Sequence, residues 1–308
     1  MTLLKELNVT ADRPWRGLYT ATALPFNDDL SVDYDSYAEH VAWLAAAGTD
    51  GVCPNGSLGE YQTLTDEERA RVVQTAAEAR PAGFGLMPGV AAYGSRQTQR
   101  WIEQAAEAGA ESVLLLPPNT YRADRGTVLD HYRAAAAVGL PIVAYNNPID
   151  TKVDLTPDVL AQLFDEDLIV AVKEFTGDVR RAWEIAELAP GLDLLVGSDV
   201  VVVELGVAGA VGWICGYSNA LPRTCVELLA AATSGDPSDL AQALPVYRDL
   251  HSLLRWDAKT EFVQAIKLSM DVVGRKGGAC RPPRGPLPEA VHRQVTAATE
   301  AATSRGYK

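Results

Sequence analysis

Short apolar runs alternate with longer amphipathic segments through most of this chain, and no other feature of the sequence constrains the fold as strongly. Eight runs have the length and composition of strands, at residues 17–23, 51–55, 85–90, 112–116, 141–146, 168–173, 193–197 and 210–215. Helical patterns lie between them, at 34–47, 66–79, 95–108, 125–138, 157–164, 178–188 and 200–205. Strict alternation with continuously apolar strands is typical of a parallel sheet covered by helices.

The number of these units distinguishes between two α/β architectures. Eight strand signals before residue 220 favour a (β/α)8 TIM barrel. An open Rossmann-type sheet would carry a G-x-G-x-x-G turn after an early strand, and the sequence has none. From residue 221 onward the pattern is helical, at 224–234, 240–273 and 288–303, with a proline- and glycine-rich segment at 274–288. We therefore predict a catalytic barrel over 15–220 and a C-terminal helical extension over 221–308 packed on it.

Charge and cysteine usage limit the partners and the compartment. Forty acidic residues against 27 basic ones give the 308-residue chain a net charge of −13, which repels phosphate backbones and anionic lipid. We expect neither nucleic acid nor a membrane as a partner, because the most apolar stretch, 200–217, is interrupted by Glu204 and four glycines. The first residues do not resemble a signal peptide. Four separated cysteines read as reduced thiols, and we expect a soluble cytoplasmic protein.

Lys173 is the sharpest candidate for a reacting group. Reacting groups of barrel enzymes lie where the strands end, and Lys173 closes the sixth strand on the same face as Ile169 and Ala171. Desolvation at that position lowers the pKa of the amine and exposes a nucleophile suited to Schiff-base formation with a ketone or an aldehyde. The residues leave open a structural lysine that reaches solvent or pairs with Glu174 or Asp199.

Two neighbouring strand ends offer further polar groups. Tyr145 points inward at the end of the fifth strand, where its phenol can carry protons or can be a packed aromatic. The turn 56–60, with sequence GSLGE, offers backbone N–H groups for a carboxylate and places Ser57 within reach of Tyr145. The turn lacks the Lys-Ser/Thr of a P-loop, so nucleotide phosphate is not expected.

Other chemistries have less support. The four histidines, His40, His131, His251 and His292, fall on predicted helices, and no Cys/His cluster or HExxH exists. We therefore expect no metal and no cofactor beyond a covalent substrate imine. Cys215 reads as a buried thiol. The segment 281–284, Arg-Pro-Pro-Arg, could be a basic binding edge, but a rigid turn between helices is the favoured interpretation.

Four motifs in fixed order carry a family resemblance, namely GSLGE at 56–60, YNNP at 145–148, VKEFTG at 172–177 and LLVGSD at 194–199. From about residue 15 to residue 287 the chain resembles the dihydrodipicolinate synthase/N-acetylneuraminate lyase family of class I aldolases. The resemblance implies a homotetrameric barrel in which Lys173 forms a Schiff base with a 2-keto acid, often pyruvate. It also implies site roles for these residues: Tyr145 as proton shuttle, Ser57 as its hydrogen-bonding partner, Gly56 and the amides of Ser57 and Leu58 as the carboxylate site, and Gly197 and Ile214 as pocket lining.

Three departures from the family pattern bear on the substrate. Leu58 stands where the family turn often has a second threonine, Asp150 stands where the synthases carry a carboxylate-binding arginine, and only Tyr121 could represent their paired tyrosines. An anion in place of a cation repels the synthase substrate. We therefore predict a Schiff-base lyase of aldolase, dehydratase or deaminase type acting on pyruvate or another 2-keto acid. Dihydrodipicolinate synthase itself and a non-catalytic keto-acid-binding protein are the alternatives.

Overall fold

The computed structural model describes residues 13–119 and 122–308, and in them eight parallel strands form one sheet. The strands are β1 (Gly17–Ala21), β2 (Gly51–Cys53), β3 (Gly85–Leu86), β4 (Val113–Leu115), β5 (Ile142–Asn146), β6 (Ala171–Glu174), β7 (Asp193–Val196) and β8 (Gly212–Cys215). They pair in the order β3-β2-β1-β8-β7-β6-β5-β4. A parallel bridge between Gly89 and Leu114 joins the two outer strands. The predicted α/β barrel is confirmed, with each strand inside its predicted range or extended by one residue.

Helices alternate with the strands and continue after them. Those that accompany the barrel are α1 (Tyr34–Ala47), α2 (Asp66–Ala79), α3 (Ser95–Glu107), α4 (Arg125–Ala136), α5 (Pro148–Thr151), α6 (Pro157–Asp165), α7 (Arg180–Leu188) and α8 (Val202–Val207). Those that follow are α9 (Pro222–Thr233), α10 (Pro237–Leu254), α11 (Phe262–Val272) and α12 (Glu289–Ser304). The short α5, directly after β5, has no counterpart among the predicted helices, because its four residues are too few for a periodic pattern.

Local capping explains why the first helices begin and end where the sequence predicts. The Asp33 side chain accepts a hydrogen bond from the Ser36 N–H at the start of α1, and Gly48 ends that helix with φ 98°. Thr65 and Glu68 form a reciprocal capping box at the start of α2. These contacts are local in sequence, so the ranges 34–47 and 66–79 could be predicted to the residue.

The C-terminal helices pack on the barrel and on one another. Helix α9 contacts both α8 and β1, and α11 contacts α12. The prediction of one continuous helix over 240–273 is wrong, because α10 ends at Leu254 and a 3-10 turn at Arg255–Ala258 precedes α11. That turn is held by a tertiary contact, since Asp257 Oδ2 accepts a hydrogen bond from the Asp199 N–H at 3.1 Å. Helical periodicity carries no sign of such a contact.

The length and composition of these helices determine whether any of them could span a bilayer. Across residues 13–119 and 122–308, none of them combines the length and the apolar composition needed to cross a membrane.

Candidate active site

A cavity of about 630 Å³ opens at the carboxyl ends of the strands. The strand ends and the loops that follow them supply most of its wall, and the turn 257–260, the first residues of α11 and the segment 283–285 supply the rest. Six of the seven predicted site residues line this cavity together: Gly56, Ser57, Leu58, Tyr145, Lys173 and Ile214. The volume lies within the usual range for small-molecule sites.

Lys173 lies deep in this cavity. Its side chain projects from β6, the residue is 6% exposed, and it is paired in register with Tyr145 on β5. The Nζ atom lies 4.2 Å from the centre of the Tyr145 ring. Burial lowers the pKa of the Lys173 amine, and the nearby Asp257 carboxyl opposes that shift. The amine is therefore easier to deprotonate than an ordinary lysine.

The structural alternatives for Lys173 are not observed. Glu174 faces the other side of the sheet, where its carboxylate accepts hydrogen bonds from Asn146 and from the Thr176 N–H. In the parts of the chain that the structure describes, Lys173 forms no ion pair with any carboxylate within 4.0 Å. The amine is enclosed without a direct counter-ion, which is the arrangement that favours its neutral form.

Tyr145 is the aromatic neighbour of the amine. It is 6% exposed, and burial raises the pKa of its phenol well above 10.0, with Asp257 and Asp150 adding to the rise. Its hydroxyl accepts a hydrogen bond from Asn147 Nδ2 at 3.3 Å. Among the described residues it makes no hydrogen bond to Ser57, so the predicted Ser57–Tyr145 contact is not formed in this structure. The hydrogen-bond partner of the Tyr145 hydroxyl is instead Asn147, the residue directly after β5.

The turn after β2 lines the cavity with Gly56, Ser57 and Leu58. Asn55 and Glu60, at its two ends, have left-handed backbone with φ 57° and 53°. The Asn55 side chain donates to the Arg69 carbonyl at 2.9 Å, and Glu60 accepts from Lys267 Nζ at 3.2 Å. Within the described ranges no acceptor takes the N–H groups of Ser57 or Leu58. The turn is thus anchored at both ends while its middle keeps donors for an anion.

Two buried carboxyl groups stand beside Lys173. Asp199 is fully buried and accepts from Trp213 Nε1 at 2.9 Å and from the Tyr217 N–H at 2.7 Å. Asp257 lines the cavity, and burial raises the pKa of both carboxyl groups, with Lys173 opposing the rise in each. The sequence indicated Asp199 as a possible ion-pair partner of Lys173, but it gave no sign of Asp257, because that residue lies inside a segment predicted as continuous helix.

Asp150 lines the cavity from helix α5. Asn147 Nδ2 donates to its carboxylate at 2.8 Å, so one asparagine connects Asp150 with the Tyr145 hydroxyl. The departure from the synthase pattern at this position is therefore a feature of the cavity wall. Tyr121, another of the three departures from the family pattern, lies outside the described residues.

Gly197 does not line the cavity in this structure, unlike the other predicted lining residue, Ile214. Its N–H donates to the Glu174 carbonyl at 2.9 Å. A Cβ at this position would lie 2.4 Å from that carbonyl oxygen. Glycine here allows the ends of β6 and β7 to approach, which is a packing role.

The histidines and Cys215, which the sequence analysis considered as possible metal ligands or nucleophiles, do not line the cavity. The four histidines lie on α1, α4, α10 and α12, and Cys215 is a buried thiol that contacts Asp199. Over the described ranges, no group of three or more His, Cys, Asp and Glu side chains is arranged to hold a metal ion.

Comparison with known proteins places this geometry in context. The model of the dihydrodipicolinate synthetase family matches residues 14–302. A DapA-like lyase of Rhizobium meliloti is 30% identical over 90% of this chain and 92% of its own length. A 4-hydroxy-tetrahydrodipicolinate synthase of Methanothrix thermoacetophila is 33% identical over 89% of this chain and 92% of its own length. The crystal structure of YagE from Escherichia coli K12, in complex with pyruvate, superposes with a TM-score of 0.86 at 25% identity, covering 94% of this chain and 99% of that one.

Proposed function

This chain belongs to the dihydrodipicolinate synthetase family, and on that premise we propose that it is a lyase that forms a Schiff base between Lys173 and pyruvate or another 2-keto acid. One observation carries the proposal above the others. Lys173 is an enclosed amine without a paired carboxylate, at the base of a cavity that opens at the strand ends. Such an amine is a nucleophile at neutral pH.

Imine formation needs a proton donor next to the amine. Lys173 Nζ attacks the keto carbon, a C–N bond forms, and the former carbonyl oxygen takes a proton from the Tyr145 phenol. One of the two nitrogen protons then passes to that hydroxyl, the C–O bond breaks, and the departure of water leaves the protonated imine. Because its pKa is raised, the Tyr145 phenol keeps its proton until the reaction needs it, and the phenolate then accepts a proton from a later intermediate. The Asn147 amide fixes the position of the phenol oxygen.

The turn 56–60 supplies the carboxylate site in this proposal. Ser57 and Leu58, whose amides have no acceptor among the described residues, line the same cavity as Lys173. Two N–H donors hold a carboxylate at a fixed distance from the amine and so orient the adjacent keto carbon. The buried Glu60–Lys267 pair keeps the turn in place.

The imine determines the class of reaction. A protonated imine accepts the electron pair released when a bond at the β carbon breaks, or stabilises the enamine that adds to an electrophile. Retro-aldol cleavage, dehydration and addition all fit this description, and none of them needs a metal or an organic cofactor.

By family resemblance we propose that the protein is a cytoplasmic homotetramer. Light scattering of the purified protein tests the number of subunits.

Borohydride trapping tests the proposed function. The protein is incubated with pyruvate or a panel of 2-keto acids, reduced, and analysed by intact mass; we expect one adduct with the mass of the reduced imine. The adduct disappears in Lys173→Ala and persists in the control Lys152→Asn, which removes an exposed lysine while tolerating the left-handed backbone there. An adduct that survives Lys173→Ala, or the absence of any adduct, contradicts the proposal.

Two other functions give different outcomes in the same assays. A 4-hydroxy-tetrahydrodipicolinate synthase, the activity named for several relatives, would turn over pyruvate with aspartate semialdehyde. Asp150 in the cavity wall disfavours it, because by family resemblance an anion stands at the position where those synthases bind the carboxylate of this substrate with an arginine. A non-catalytic binding protein would bind keto acids, which would raise its Tm, but borohydride would trap no adduct.

A further inference from the structure

The segment Arg281–Pro282–Pro283–Arg284, read from the sequence as a rigid turn, reaches the cavity. Pro283, Arg284 and Gly285 line it together with Lys259 from the turn before α11. Lys173 is buried, whereas Lys259 is exposed and Arg284 is half-buried, so the two latter cations stand nearer the mouth. No part of the proposed imine chemistry uses them.

The two arginines of this segment differ in their partners. Arg281 forms a bidentate ion pair with the Glu68 carboxylate, at 2.6 and 2.7 Å. The Arg284 guanidinium forms no ion pair and no hydrogen bond with any described residue, and its Nε is buried without a partner. A buried donor of this kind costs free energy unless something else satisfies the group. Arg281 is therefore structural, and Arg284 is available to a ligand.

The surroundings hold Arg284 in place without neutralising it. Gln264 Nε2 donates to the Gly285 carbonyl at 3.1 Å, which fixes the chain next to the arginine. The guanidinium carbon lies 5.7 Å from the centre of the Phe262 ring. Gln264 lines the same cavity, and its Oε1 is a second buried atom with no partner among the described residues. An unpaired acceptor and an unpaired cation in the wall of one cavity suit a ligand that carries both an anionic group and a hydroxyl.

From these contacts we propose that Arg284, assisted by Lys259, forms an anion subsite at the mouth of the cavity, so that the preferred substrate is a 2-keto acid with a second anionic group at its far end. This inference rests on the proposed Schiff-base function. The carboxylate next to the keto carbon binds at the turn 56–60, and the far anion binds at Arg284. A carboxylate and a phosphate ester share the necessary chemistry, because guanidinium binds both in a bidentate manner.

The carboxylates on the other walls of the cavity restrict the far anion of the substrate to the side of Arg284. Asp150 and Asp257 line the same cavity. An anionic group close to either carboxylate is repelled, whereas the Arg284 side offers two cations. Lys173 does not compensate, because it must be neutral to attack. The subsite is thus a specificity determinant for the substrate's far end rather than part of the bond-breaking machinery.

Matched substrates and variants test the subsite. The half-saturating concentration for borohydride trapping is measured with pyruvate, with 2-oxoglutarate against 2-oxohexanoate, which lacks the far carboxylate, and with 2-keto-3-deoxygluconate against its 6-phosphate. We expect the wild type to prefer the compound with the far anion in at least one pair, and the pair that responds identifies carboxylate or phosphate. Arg284→Leu raises the half-saturating concentration of that compound by about tenfold or more, and Arg284→Lys recovers part of the loss. Pyruvate changes by less than about twofold, because it lacks the far group.

Arg248→Leu is the control, since it makes the same change in net charge on an exposed part of α10. The subsite is overturned if Arg284→Leu affects the compounds with and without the far anion equally, or if Arg248→Leu has the same effect as Arg284→Leu. Calorimetric binding of glutarate, which has no keto carbon, separates this result from the Schiff base. Arg284-dependent binding of glutarate without trapping of any keto acid would overturn the proposed function and retain the subsite. Trapping without dependence on Arg284 in either assay would do the reverse.

Discussion

Asp257 Oδ2 accepts a hydrogen bond from the backbone N–H of Asp199 at 3.1 Å, and this contact ties the helical extension to the end of β7. It brings a carboxyl group from the C-terminal part of the chain to the wall of the cavity that Lys173 occupies. The extension therefore contributes to the electrostatics of the site as well as to the packing of the barrel.

Asp257→Asn tests that contribution through the pH dependence of imine formation. The Asp257 carboxyl raises the pKa of Lys173, whereas burial lowers it. Removing the negative charge lowers the Lys173 pKa further, so the free amine persists to lower pH. We expect the acid limb of the trapping rate to move to lower pH relative to the wild type. An unchanged limb, or a shift to higher pH, would show that Asp257 does not act on the amine.

Tyr145→Phe tests the proton shuttle. The variant loses the donor for the carbinolamine oxygen, and kcat/KM is expected to fall by about 10²- to 10⁴-fold. Stability should change little, because the phenol oxygen makes one long hydrogen bond of 3.3 Å. Tyr132→Phe is the matched control: its hydroxyl donates to the Leu115 carbonyl at 2.8 Å and does not line the cavity. That variant should lose roughly 1 kcal/mol of stability and keep its activity; the opposite pattern would remove Tyr145 from the mechanism.

The buried pair of Glu60 and Lys267 gives a prediction on stability. Both side chains are at most 1% exposed, and Lys267 also donates to the Leu24 carbonyl at 2.9 Å. Lys267→Met leaves the Glu60 carboxylate buried without its cation and should cost about 3–5 kcal/mol in the free energy of unfolding. Adding Glu60→Gln should recover part of that loss. Urea denaturation measures both, and a double variant no more stable than Lys267→Met would argue against an ion-pair role.

His40 gives a prediction on the pH dependence of stability. It is fully enclosed on α1, its Nε2 contacts Asn219 at 2.9 Å, and its Nδ1 has no partner among the described residues. Burial lowers its pKa from 6.5 to about 4. The unfolded chain binds the proton more tightly between these values, so stability is present above pH 6.5 and is lost as the pH falls toward 4.

We expect the free energy of unfolding to fall by about one to three kcal/mol across that interval from this residue. His40→Asn should flatten the dependence, and His292→Gln, at an exposed position, should leave it unchanged. Denaturation curves at several pH values decide the matter. Equal slopes in His40→Asn and the wild type would assign the acid sensitivity to other groups.

Several features of this protein follow from local sequence. The eight strands and the first two helices depend on alternating hydrophobicity and on caps whose partners lie within four residues, as Asp33–Ser36 and Thr65–Glu68 do. Lys173 and Tyr145 were found for the same reason, since strand parity and the convergence of strand ends in a barrel are general rules. These rules alone predict that Lys173 and Tyr145 lie in the same cavity.

The distant residues that complete the cavity are determined by tertiary packing and could not be predicted from local sequence. Asp257 and Arg284 belong to segments whose local patterns indicate a helix and a turn, and nothing in those patterns points to the cavity mouth. Their positions depend on how the extension packs on the barrel, and on buried contacts such as Asp257–Asp199 and Gln264–Gly285. The exchange of Ser57 for Asn147 as the partner of Tyr145 has the same origin. The periodic pattern of a segment determines which face of its helix or strand is buried. The hydrogen-bond partner of a side chain depends on atom positions to within a few tenths of an ångström, and those positions are established only when the chain is packed.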